Sequence, residues 1–206
     1  MSSQIGTVVA SGDRWATVTR STRETQITVT LKLDGTGETN IETGVGFFDH
    51  LLNSMAHHAL FDLDIEATGD LVIDEHHTVE DVALVLGAAL AQALGDRSGI
   101  ARFGDSAVPM DESVATVVVD VGGRPYAVVD LPFRGKRAGK MPLELIEHVM
   151  ESFARAGGVT LNVKGRGRND HHLAEAAFKA LGRSLCAAVT VDPRRLGPAS
   201  TKGTLG

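Results

Sequence analysis

The chain's 206 residues predict an α+β fold of two β-β-β-α-β-α halves, with the helices sandwiched between two mixed sheets. The pentad His-His-x-x-Glu occurs twice, as His76-His77-Thr78-Val79-Glu80 and His171-His172-Leu173-Ala174-Glu175. Each copy follows an acid-His pair, Asp49-His50 or Glu147-His148, so the chain reads as an internal duplication. Each pentad also opens an Ala/Leu-rich stretch, 78–94 or 173–189, with apolar residues at three- and four-residue steps, as a long helix requires. Upstream of both acid-His pairs lie β-branched, partly alternating stretches that read as strands.

Residues 1–12 are small and polar and read as a flexible N-terminal arm. The first half, 13–97, begins with strands over 15–20 and 26–33, a turn at Asp34-Gly35, and a third extended piece over 38–43. A helix over 47–57, a strand over 60–67 and the long helix after His77 complete it. The second half, 98–191, repeats the order with strands over 113–121 and 126–131, a helix over 143–156, a strand over 159–163 and the last helix. Its remaining early strand has no clear pattern and is inferred from the repeat. His50 and His148 are 98 residues apart whereas His76 and His171 are 95 apart, which implies three fewer residues in a loop of the second half. Residues 192–206 form a tail of Pro, Gly and small polar residues. Gly44 and Gly46, before the first helix, read as turn residues.

Composition excludes several classes. With 43% hydrophobic residues the chain can bury a core. A net charge of −6 without a dense Lys/Arg run argues against nucleic-acid binding. No run of 18 apolar residues and no basic-apolar start are present, so neither a membrane span nor a signal peptide is expected, and the expected location is cytoplasmic. The single cysteine, Cys186, lies among apolar residues of the last helix and reads as a buried structural thiol.

Neutral imidazole with carboxylate is a good donor set for a divalent transition metal. On a helix His76 and Glu80, or His171 and Glu175, are four apart and share a face, so each pair can grip one ion. His77 and His172 are turned by about 100° from their neighbours and must aim elsewhere, which favours two metals over one. A lone histidine is more often structural, but two matched copies are not explained that way. His57 and His58 fall outside the repeat.

These residues resemble one family. Arg23-Glu24-Thr25, Gly46-Phe47-Phe48-Asp49-His50, the two pentads, 99–104 (GIARFG), Met110-Asp111-Glu112, Gly123-Arg124-Pro125 and Ser200-Thr201-Lys202-Gly203 are similar to imidazoleglycerol-phosphate dehydratase of histidine biosynthesis, over essentially the whole chain. The resemblance implies a ribosomal protein S5 domain 2-like fold. It also implies a lyase with two Mn2+ ions per active site that dehydrates D-erythro-imidazole glycerol phosphate to imidazole acetol phosphate through a metal-bound imidazolate. One ion would take His50, His77, His171 and Glu175, and the other His76, Glu80, His148 and His172. The catalytic residues would be Glu24, as the base, with Asp111 and His58. The phosphate would be held by Arg102, Arg124, Lys179, Ser200, Thr201 and Lys202, a set of charge-assisted donors suited to a dianion. The implied assembly is a 24-chain homo-oligomer of trimers with sites between chains. Two alternatives use the same donors: a dinuclear metallohydrolase of a phosphorylated substrate, and a non-catalytic metal-binding shell.

Overall fold

A computed structural model describes residues 5–205. The first sheet has the order β1 (Thr7–Gly12), β2 (Trp15–Ser21), β3 (Thr25–Lys32), β5 (Asp62–Gly69), β4 (Thr39–Glu42), and the second β6 (Phe103–Met110), β7 (Ser113–Asp120), β11 (Thr160–Arg166), β8 (Tyr126–Asp130). In the first half β2, β3, β4 and β5 correspond to β6, β7, β8 and β11 in the second. The pairing is the same in both. β3 is antiparallel to β2 and β5 while β4 runs parallel to β5, and β7 is antiparallel to β6 and β11 while β8 runs parallel to β11. A mixed sheet in each half is the expected duplication. The second half adds a short hairpin, β9 (Arg137–Ala138) and β10 (Met141–Pro142), before its first helix.

Strand faces alternate as period-2 patterning requires: Ile27, Val29 and Leu31 of β3, and Ala115, Val117 and Val119 of β7, point inward and are buried. Helix α2 (His76–Leu94) lies on β2 and β3, and α4 (Asp170–Val189) lies on β6 and β7. Across the halves α2 packs on α3 (Leu145–Gly157), and α1 (Gly46–Ala59) packs on α4. The helices therefore sit between the sheets, in one continuous apolar core. Helix α2 is apolar on nearly every side because it is covered on both, with 72% of its most apolar window buried inside the protein. Each inter-half crossing has a glycine at its closest point. A Cβ on Gly87 would lie 2.5 Å from the Phe153 carbonyl oxygen, and one on Gly182 would lie 2.2 Å from that of Met55. Glycine lets the helix backbones approach.

Two elements differ from expectation. Residues Thr7–Gly12, expected to be part of a flexible arm over 1–12, instead form edge strand β1, antiparallel to β2 with a bulge between Val8 and Ala10. All six residues are exposed, so no face is buried and no alternation is imprinted on the sequence. Residues 1–4 lie outside the described residues. The strand missing from the second-half pattern is β6, an edge strand carrying Gly104, Asp105 and Pro109, which mask its character. The shorter second-half loop lies between β11 and α4, where 167–169 replace the six residues 70–75 between β5 and α2. Gly44 adopts φ 78°, as a turn residue, whereas Gly46 is the first residue of α1. Cys186 is half-buried rather than fully buried. The tail is laid against the start of the second half, with Gly99 N–H donating to the Gly197 carbonyl and Asp192 N–H to the Gly99 carbonyl.

Candidate functional site

The duplicated halves bring together two sets of imidazole and carboxylate donors. In the first, α1 supplies His50 and the first turns of α4 supply His171 and Glu175. Asn169 caps α4, its side-chain oxygen accepting the N–H groups of His171 (3.0 Å) and His172 (3.3 Å). At the start of α1, Asp49 accepts hydrogen bonds from the backbone and hydroxyl of Thr43, and the Phe47 ring lies 5.0 Å from that of His171. Nε2 of His50 and of His171 then lie 3.1 and 3.2 Å from Glu175 Oε2, with one donor atom from each of the three residues within 4.8 Å of the others. The other oxygen, Oε1, accepts from Lys179 Nζ at 2.7 Å. Burial opposes ionisation of Glu175, but hydrogen bonds from Lys179 and His50 outweigh it and lower its pKa to about 2. The carboxylate is thus an anion at neutral pH.

The second set is the duplicate. His76 Nε2 is 3.5 Å from Glu80 Oε2, and the rings of His76 and His148 are 5.0 Å apart. Arg155 donates to the outer Glu80 oxygen at 3.4 Å. Beside it opens a cavity of about 710 Å³ lined by Glu80, Tyr126, His148 and Arg155, among others. Three of the four ligands expected for each ion are therefore adjacent within one chain.

The fourth in each case is not. The rings of His77 and His172 stand at 80° and 86° to those of His76 and His171. His77 Nδ1 is 3.0 Å from Asp70 Oδ2 and 3.9 Å from Glu24 Oε2. Its hydrogen bond to Asp70 raises its pKa. His172 Nδ1 is 3.0 Å from Glu112 Oε2 and 3.8 Å from Asp111 Oδ2. Glu24 and Asp111 thus both flank a histidine of the pentads, in the β2–β3 and β6–β7 turns. Asp111 sits at φ 49°, in the left-handed region that aspartate tolerates. His58, in the last turn of α1, is the half-buried member of its pair, with His57 exposed. Burial lowers its pKa, and the positive charges of Lys179 and Arg183 add to the effect.

Five of the six expected phosphate ligands line one cavity of about 350 Å³: Arg102, Arg124, Ser200, Thr201 and Lys202. Asp120 fixes Arg102 by a two-pronged contact of 2.7 and 2.9 Å, and Arg102 Nη1 donates to the Ala199 carbonyl at 2.7 Å, which ties the tail to the cavity wall. Lys179 lies elsewhere, paired with Glu175. Sequence reasoning gave no role to Asp70, Glu112 or Asp120. Glu112 stood inside a quoted motif, but nothing local to Asp70 or Asp120 marks them.

A duplicated α+β scaffold with two histidine-carboxylate sets and an arginine-lined cavity has the features of an enzyme for a small anionic substrate. Similarity to known proteins defines it further. The imidazoleglycerol-phosphate dehydratase family profile matches residues 43–185. Proteins of that name from Methanoculleus marisnigri and Albidiferax ferrireducens are 53% and 50% identical, over 93% and 100% of this chain and the whole of each relative. The crystal structure of imidazoleglycerol-phosphate dehydratase from Staphylococcus aureus superposes with a TM-score of 0.78 at 34% identity, covering 85% of this chain and 98% of that one. That from Pyrococcus furiosus, in complex with (S)-C348, gives 0.79 at 34% identity, covering 91% and 99%. The chain belongs to the imidazoleglycerol-phosphate dehydratase family, hydro-lyases of histidine biosynthesis.

Proposed function

We propose that this hydro-lyase works with two manganese ions per active site, in sites shared between chains of a 24-chain homo-oligomer of trimers in the cytoplasm. The observation that carries this reading is the split of each expected ligand set: His50, His171 and Glu175 gather in one chain and His76 lies beside Glu80 and His148, whereas His77 and His172 are held apart by Asp70 and Glu112. If His77 and His172 complete sites on neighbouring copies, both pentads are used in full. The donor chemistry fits a divalent metal: imidazole nitrogens close around a buried carboxylate that is ionised at neutral pH. Exposed apolar residues Leu71, Val72 and Ile73, in the loop that precedes His76, suit burial against another copy.

When bound, the ions would act as Lewis acids on the imidazole of the substrate and favour loss of its ring proton. The chain's own groups would do the rest. Arg102, Arg124, Ser200, Thr201 and Lys202 hold the phosphate in their cavity, with Lys179 as a further cation from the first ligand set. Glu24 takes the proton from the carbon next to the one that loses hydroxide, and the enol so formed relaxes to the ketone. Asp111 and His58 serve the departing hydroxide.

Mixing two inactive variants tests the shared site. His77→Ala removes a first-half ligand and His172→Ala a second-half ligand. Each variant alone should be inactive. Dissociated and reassembled together, they should regain activity in about a quarter of the sites, those pairing an intact first half with an intact second half in a symmetric assembly. Mixed particles without recovered activity would place both ions within one chain.

A further inference from the structure

The two histidines outside the clusters are held alike, but by residues that the duplication does not relate. Each Nδ1 has one carboxylate at 3.0 Å and a second at 3.8 or 3.9 Å. For His172 the near one is Glu112, whereas for His77 it is Asp70. The sheet register identifies the equivalent positions. Gln26 of β3 lies opposite Thr68 of β5, and Val114 of β7 lies opposite Arg166 of β11. Glu24 and Glu112, each two residues earlier, are therefore duplicates of one position. Both face a pentad histidine, but their hydrogen bonding differs. Glu112 binds His172 through Oε2, while Oε1 accepts the N–H groups of Arg168 (2.9 Å) and Asn169 (2.7 Å) and the Ser113 hydroxyl (2.9 Å). Among the described residues Glu24 accepts no hydrogen bond, and its side chain is 55% exposed.

The loops after β5 and β11 account for the difference. In the second half, the short segment 167–169 turns two backbone N–H groups onto Glu112. In the first half, the segment is three residues longer and brings a carboxylate of its own, Asp70, to the histidine. We propose that Asp70 is a positioning residue: it accepts the Nδ1 proton of His77, directs Nε2 at a metal ion, and so leaves Glu24 unengaged for proton transfer. Glu112 does the same for His172, and for that reason cannot serve as a second base. This rests on the two-manganese reading.

Manganese titration of metal-depleted full-length protein, followed by calorimetry, tests it. Asp70→Ala should weaken one of the two sites per chain about 10- to 100-fold, and Glu112→Ala the other. Asp70→Asn keeps an acceptor oxygen and should recover most of the loss. Glu24→Gln should leave both sites at the wild-type affinity. Wild-type affinity in Asp70→Ala, an equal loss in Asp70→Asn, or a loss in Glu24→Gln as large as in Asp70→Ala would each overturn the positioning role alone. Wild-type protein that binds no manganese would overturn the metal reading and this role with it.

Discussion

Glu175 shows how much one carboxylate can organise. One oxygen faces His50 and His171 and the other pairs with Lys179. Its pKa is lowered from the ordinary 4.5 to about 2, so its ionised form stabilises the folded chain above about pH 4.5, and that contribution is lost as pH falls toward 2. Thermal melting of metal-free protein should show a wild-type advantage over Glu175→Gln at neutral pH that shrinks across this window. An advantage independent of pH would mean that the carboxylate is not ionised in the fold. Glu24 supports a different test. Glu24→Gln preserves size and hydrogen bonding but removes the proposed base, so kcat should fall at least about a hundredfold while metal content stays normal. Near-normal kcat would move the base elsewhere. At this scale the sequence was readable where partners are local. The i, i+4 pairs His171–Glu175 and His76–Glu80 follow from helix geometry, and both meet as expected. Asp70 and Asp120 were invisible because each grips its partner, His77 or Arg102, through loop and turn conformations that no spacing encodes.

The crossings of α2 with α3 and of α1 with α4 depend on duplicated glycines. Gly182→Ala would put a methyl group against the Met55 carbonyl oxygen, and backbone cannot swing aside as a side chain can. It should destabilise the fold by about 1–3 kcal/mol, read as a lowered denaturation midpoint with unchanged slope. A midpoint at the wild-type value would show that the helices can separate freely. The tail is the element whose composition misleads most. Rich in Pro and Gly, it reads as solvated, yet it forms the wall of the Arg102 cavity through Ala199, Ser200, Thr201 and Lys202. Deleting 198–206 should raise KM steeply and leave metal content intact, since all eight expected ligands precede residue 176. Lys202→Ala should show a milder defect, relieved at high substrate. An unchanged kcat/KM would mean that the tail does not touch the substrate. Strands β1 and β6 escaped sequence reading for a related reason: edge strands bury little and tolerate Pro and Gly, so their pattern is weak. The central strands and all four helices were legible because the core imposes a period on them.

At the scale of the whole molecule, the duplication has built two histidine-carboxylate sets from one design and then given them different surroundings. The first half carries Glu24, which accepts no hydrogen bond among the described residues, and the second the cationic cavity of Arg102 and Arg124. If the proposed sites are completed between chains, assembly and metal should be coupled: chelated protein should sediment as smaller oligomers, because donors from neighbouring chains would lose the cation proposed to join them. A large particle persisting after metal loss, confirmed by elemental analysis, would contradict that coupling. Manganese-dependent dehydration can be followed as imidazole acetol phosphate formed from D-erythro-imidazole glycerol phosphate by one protein preparation, first metal-depleted and then manganese-loaded. Product should form only with the loaded protein; an undiminished rate from protein shown to be metal-free would rule out a role for manganese in the dehydration.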